Sequence, residues 1–111
     1  MKNLLNNGAM LEPWRVMVEE GRLTEAARLL RPTVTGLEGM GSFAALGYGA
    51  EKYGDEVLQN GDVLAARQSY EVALRNFLLY SEFPARGDNE DYGIELAEGV
   101  LRKLAALDAA S

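Results

Sequence analysis

Apolar residues recur at helical spacing in five stretches of the chain, with glycine or proline punctuating the gaps between them. Leu11 to Glu20 (LEPWRVMVEE) carries Trp14, Met17 and Val18, with Pro13 in the first turn, where its missing amide hydrogen is harmless. Gly21 ends that helix. Arg22 to Arg31 follows, with Leu23, Ala26, Ala27 and Leu30 at i, i+3, i+4 and i+7 and its arginines on the other side. Only Gly21 and its neighbours separate the two helices, so they are expected to pack antiparallel. Pro32 ends the second helix or kinks it.

Thr33 to Gly41 is glycine-rich and reads as a linker or a short extra helical turn. Ser42 then caps a long helix whose apolar face is Phe43, Leu46, Ala50, Tyr53, Val57 and Leu58. A tight turn at Asn60-Gly61-Asp62 leads into the clearest helix, Asp62 to Tyr80, where Val63, Ala66, Tyr70, Ala73, Phe77 and Tyr80 step by three and four. The stretch Leu79 to Gly87 closes this hairpin. A final helix, Glu90 to Leu107, turns Ala97, Val100, Leu101, Leu104 and Leu107 inward, with carboxylates at its positive end and Arg102 and Lys103 toward its negative one. The expected organisation is a flexible terminus over residues 1–10 and one domain over 11–108, with Ala109 to Ser111 fraying.

Three details of the pattern call for explanation. An interior helix glycine costs ~1 kcal/mol relative to alanine, yet Gly41, Ala45 and Gly49 form one row of small residues and Ala50 and Gly54 another. Such rows admit a close neighbour, either a helix of the same chain or a second copy in a homodimer. Arg67, Glu71 and Arg75 alternate in sign every four residues and read as a solvated face. Phe77, Tyr80 and Phe83 form an aromatic group expected in the core.

Composition narrows the chemistry. With 111 residues, 48% of them hydrophobic, the chain has the size and balance of one globular domain. Neither cysteine nor histidine is present, which excludes disulfides, thiolate chemistry and the commonest general base and metal ligand. A net charge of −6 disfavours nucleic acid and anionic membranes and admits a basic protein partner. The apolar run in residues 1–10 is too short for a signal peptide or a membrane span, so a cytoplasmic protein is expected.

Two motifs fail on context. Gly39-Met40-Gly41-Ser42-Phe43-Ala44 fits a dinucleotide fingerprint, but no buried strand precedes it and no βαβ unit surrounds it, so no cofactor is expected. Asp88-Asn89-Glu90-Asp91 lacks the alternating oxygen ligands of a calcium loop, since Tyr92 and Gly99 occupy two of the places, and these residues read as a helix cap. Paired carboxylates such as Glu51/Asp55 or Glu95/Glu98 sit on faces expected to be exposed, where the pKa shifts that a glycosidase needs do not arise. No catalytic residue, metal ligand or cofactor site is assigned, and the protein is read as a non-enzyme.

Gly61-Asp62, Ala66, Tyr70 and Ala73 stand in the order and spacing of the tetratricopeptide repeat, a 34-residue helical hairpin, and Gly54 occupies the place of its packing glycine. Residues 41–79 resemble that family well. Leu11 to Arg31 resembles it as a degenerate copy, with Gly21, Ala26 and Leu30 at the turn, small and large positions. The chain departs from the pattern in the 40-residue offset of its two turn glycines, in Pro13 and in Pro32. The resemblance implies an all-α fold, a short array of antiparallel helical hairpins with a C-terminal capping helix.

It also implies that a protein or peptide binds along the first helix of the intact hairpin, where Tyr48, Glu51, Asp55, Leu58 and Gln59 would face the groove. The carboxylates stand where carboxylate-gripping members carry Lys and Asn, which favours a basic or amphipathic segment. A small adaptor or chaperone is the expected function. The alternative is an acidic immunity or antitoxin-like protein that masks a basic partner.

Overall fold

The computed structural model describes residues 13–34, 42–84 and 87–110, and among them every regular element is helical. Helices α1 (Pro13–Glu19), α2 (Leu23–Leu30), α3 (Phe43–Gln59), α4 (Val63–Glu82) and α5 (Glu90–Ala110) follow in order, with a 3-10 turn at Arg31–Thr33 after α2. The all-α expectation holds. Residues 1–10, most of the glycine-rich linker and Gly41 of the first glycine row lie outside the described residues.

Each hairpin turns in the same way. At the end of α3 the Gly61 amide donates to the Leu58 carbonyl at 2.9 Å and the Asp62 amide to Val57 at 3.0 Å, with Gly61 at φ +85°. At the end of α1 the Gly21 amide donates to Val18 at 3.0 Å and the Arg22 amide to Met17 at 2.8 Å, with Gly21 at φ +81°. Both are the paired C-terminal bonds that a left-handed residue makes possible, and only glycine enters that region without a Cβ penalty. The next helix starts two residues later in each case, and Ala26 and Ala66, like Leu30 and Tyr70, are buried at matching steps.

Side chains close the helix starts. Asp62 accepts from the Ala65 amide at 3.0 Å and Ser42 from the Ala45 amide at 3.3 Å, each satisfying a donor that the first turn leaves unpaired. Asn89 does the same for Asp91 at 2.9 Å. Pro32 ends α2: the helix stops at Leu30 and tightens into the 3-10 turn, where the Thr33 hydroxyl donates to the Leu30 carbonyl at 2.6 Å. Helix α5 runs to Ala110 rather than stopping at Leu107, because Ala105, Ala106, Ala109 and Ala110 are the best helix formers.

Helix α4 is the centre of the molecule. It packs along α3 on one side and α5 on another, and α2 leans on it from a third. Tyr70, Leu74, Phe77, Leu78 and Leu79 are fully buried, joined by Val100 and Leu104 from α5 and Leu30 from α2. Burying each of these large side chains stabilises the fold by about 1.5–3 kcal/mol.

The glycines divide by task. A Cβ on Gly54 would lie 2.6 Å from the Tyr70 ring and one on Gly47 would lie 2.5 Å from the Phe77 ring, so these two let α4 close on α3. Gly49 meets nothing within 4 Å, and Ala45 beside it is exposed, so these two described members of the first row face solvent within the chain.

The charged row on α4 departs from its expected solvated state. Glu71 is half-buried and accepts from Arg15 of α1 at 3.0 Å, Arg67 pairs with Asp108 of α5, and Arg75 donates to Thr33 at 3.3 Å. Spacing by four put these residues on one face, and three different neighbours then covered that face. The aromatic group does reach the core, with Phe77 and Tyr80 buried and Phe83 packed against the cluster from its edge, but each ring takes its own partner: Phe77 meets Tyr48 edge-on at 5.3 Å, Tyr80 meets Tyr92 at 6.3 Å and Phe83 meets Phe43 at 5.9 Å.

Candidate functional site

Tyr48, Glu51 and Asp55 recur by three and four along α3 and so share one side of it, the side toward α5. The Tyr48 hydroxyl is 2.6 Å from that of Tyr92 on α5. This bond, together with burial, pushes the Tyr48 hydroxyl up to about 12, so it remains protonated at neutral pH. Lower on the helix, one ammonium serves two carboxylates: Lys103 of α5 lies 2.9 Å from Glu51 and 3.0 Å from each oxygen of Asp55. Asp55 also accepts from the Tyr70 hydroxyl at 2.6 Å, and the Lys103 nitrogen stands 5.7 Å from the centre of the Tyr70 ring.

The protonation states follow from these contacts. Burial pushes the Asp55 carboxyl up, but the Tyr70 hydroxyl and Lys103 outweigh it and hold its pKa below the ordinary value. For Lys103 burial acts downward, and the bonds to Glu51 and Asp55 prevail and raise it. Burial first, then Asp55, raises Tyr70, which therefore stays a donor. Two carboxylates against one ammonium leave the cluster with an excess negative charge.

Next to the cluster lies an apolar hollow of about 420 Å³. Asp55 and Leu58 of α3, Val63 and Tyr70 of α4, and Lys103, Ala106 and Leu107 of α5 line it. The turn at Gly61 creates it by carrying the chain from Leu58 to Val63 at the end of the hairpin, while the alanine-rich end of α5 supplies a thin opposite wall. Volumes of about 300–1,000 Å³ with a few polar groups at the edge are typical of binding sites.

Of the five residues expected to face a partner, Glu51 and Asp55 therefore meet in one ionic cluster and Asp55 and Leu58 border the hollow. Tyr48 sits one turn before Glu51 in its own bond, and Gln59 is exposed at the last turn of α3. The sequence missed Lys103, which reads there as a cation placed for the helix dipole, and the Tyr70 hydroxyl, which reads as part of a core ring. A lone cation among the uncharged neighbours Gly99, Val100, Ala106 and Leu107 on its side of α5 was the one available signal.

Glu51 and Asp55 sit on one helix and share a lysine rather than facing each other across a cleft. Glu95 and Glu98 are exposed. Among the described residues no group of three or more His, Cys, Asp or Glu is placed to hold a metal ion, and no helix is long and apolar enough to cross a membrane. Comparison with family models, with curated proteins and with solved structures finds no match to this chain.

Proposed function

We propose that this protein is a non-catalytic interaction module, a small adaptor or chaperone built on a tetratricopeptide-like hairpin, that holds a basic or amphipathic segment of a protein partner against the α3–α5 face. The observation that carries the reading is the adjacency of excess carboxylate charge at Glu51 and Asp55 to an apolar hollow. A cationic side chain satisfies the first and an apolar one the second. The internal likeness of the two hairpin turns, with Gly54 beneath Tyr70, supports the borrowed idea that the first helix of a hairpin presents the binding surface.

The test is a titration of a labelled synthetic helix of Leu and Arg against the wild type and the Glu51→Gln/Asp55→Asn double variant, followed by fluorescence anisotropy. Binding that weakens with salt and is lost in the double variant is expected. Equal affinity for both proteins, or preference for a Leu/Glu helix, refutes the reading.

A further inference from the structure

Lys103 comes from the chain itself, yet it occupies the place that a basic partner residue needs. Its nitrogen lies within 3.0 Å of Glu51 and of both oxygens of Asp55, and no other described cation is paired with either carboxylate. The cluster is accessible: the side chains of Lys103 and Asp55 are 38% and 44% exposed. Pairs of this kind hold weakly, so a competing cation can replace the lysine at little cost. An arginine is the stronger competitor, because its planar fork gives a carboxylate two parallel bonds where an ammonium acts as a point charge.

The lysine also stands on the wall of the hollow, a turn before Ala106 and Leu107. Its four-carbon stem covers apolar surface whenever its head is held by Asp55. When the head is released the stem is free to swing out, and the hollow loses one of its polar edges.

We propose that Lys103 is a built-in surrogate ligand: an arginine of the partner displaces it from Glu51 and Asp55, and an adjacent large apolar side chain of the same partner segment seats in the hollow between Leu58, Val63 and Leu107. This deepens the reading given above and rests on it. It assigns the partner an order of residues, an apolar anchor within one helical turn of an arginine. It also makes Lys103 an inhibitor of binding, the reverse of what a cation at an acidic site would do as a simple structural strut.

Four protein variants and two peptides decide the matter, with folding of each variant checked by thermal melting. Against the Leu/Arg helix, Lys103→Met should bind more tightly than wild type, by roughly fivefold. Ala106→Phe, a change at an exposed position that fills the hollow, should weaken binding roughly tenfold or more. Glu51→Gln/Asp55→Asn should abolish it and, in that background, Lys103→Met should have no further effect. A peptide with its anchor Leu replaced by Gln should bind wild type and Ala106→Phe alike.

Weaker binding by Lys103→Met overturns the surrogate. Insensitivity to Ala106→Phe together with retained loss in the double carboxylate variant overturns the anchor while leaving the acidic interaction face standing. Insensitivity to the double carboxylate variant removes the face itself, and the inference with it.

Discussion

Gly93 of α5 and Ser81 of α4 approach so closely that a Cβ on the glycine would lie 2.6 Å from the serine backbone nitrogen. The obstacle is main chain, which cannot rotate away as a ring can. Gly93→Ala is therefore expected to destabilise the protein by about 2–3 kcal/mol through overpacking. Gly49→Ala, where a Cβ meets open space, should stabilise it by up to ~1 kcal/mol. Urea unfolding of the two variants beside wild type checks both signs.

The Lys103 cluster predicts a stability contribution bounded on both sides by pH. Asp55 has a depressed folded pKa, so its contribution is complete above its unfolded value of about 3.9 and is lost as pH falls through the lower folded value. Lys103 has a raised folded pKa, so its contribution is complete below about 10.4 and is lost as pH rises through the higher folded value. The difference between wild type and Lys103→Met should be flat from roughly pH 5 to 9 and vanish toward either extreme. Because both groups are more than a third exposed, the plateau should not exceed about 1 kcal/mol.

Glu71 gives the opposite slope. Burial raises its pKa despite Arg15 beside it, so the folded state holds that proton more tightly than the unfolded state does. Replacing Arg15 by Met removes the nearest counter-charge and should destabilise the fold by about 2 kcal/mol at pH 7. Part of that loss should return as pH is lowered toward the carboxylate range, and Arg15→Met/Glu71→Gln should be more stable than Arg15→Met alone. Melting temperatures of the three proteins at pH 5 and pH 7 test the order.

Asp62 caps the helix on which the other elements pack. Removing its side chain in Asp62→Ala should destabilise the protein by ~1 kcal/mol, while Asp62→Asn, which keeps the acceptor, should cost only a fraction of that. Chemical denaturation measures the difference.

Local chemistry was readable in advance and distant pairing was not. The caps at Ser42 and Asp62, the glycine turns and the stop at Pro32 each depend on residues within about four positions, so the sequence displays them whole. Glu51 and Asp55 were placed on one groove-facing side by the resemblance to the tetratricopeptide hairpin, and their spacing by four agrees with it. That Lys103, 48 residues beyond Asp55, would reach them depends on the crossing of α5 over α4, which no local pattern encodes. The same gap explains Arg67, Glu71 and Arg75: periodicity states which residues share a face, whereas exposure depends on what packs there. The end of α5 was missed for a simpler reason, because alanine is both a small apolar residue and a helix former, and the apolar stripe ended before the helix did.

The central position of α4 carries a consequence for how the molecule comes apart. No neighbouring helix can withdraw fully without wetting part of α4, so the amides from Ala73 to Leu79 should exchange with solvent deuterium only when the whole chain opens. Helix α1, seven residues long and bound chiefly to α2, should trade its amide hydrogens soonest among the described helices. A hydrogen-exchange map would then run from a slow spine outward to a quick first helix, with the α3–α5 cluster in between.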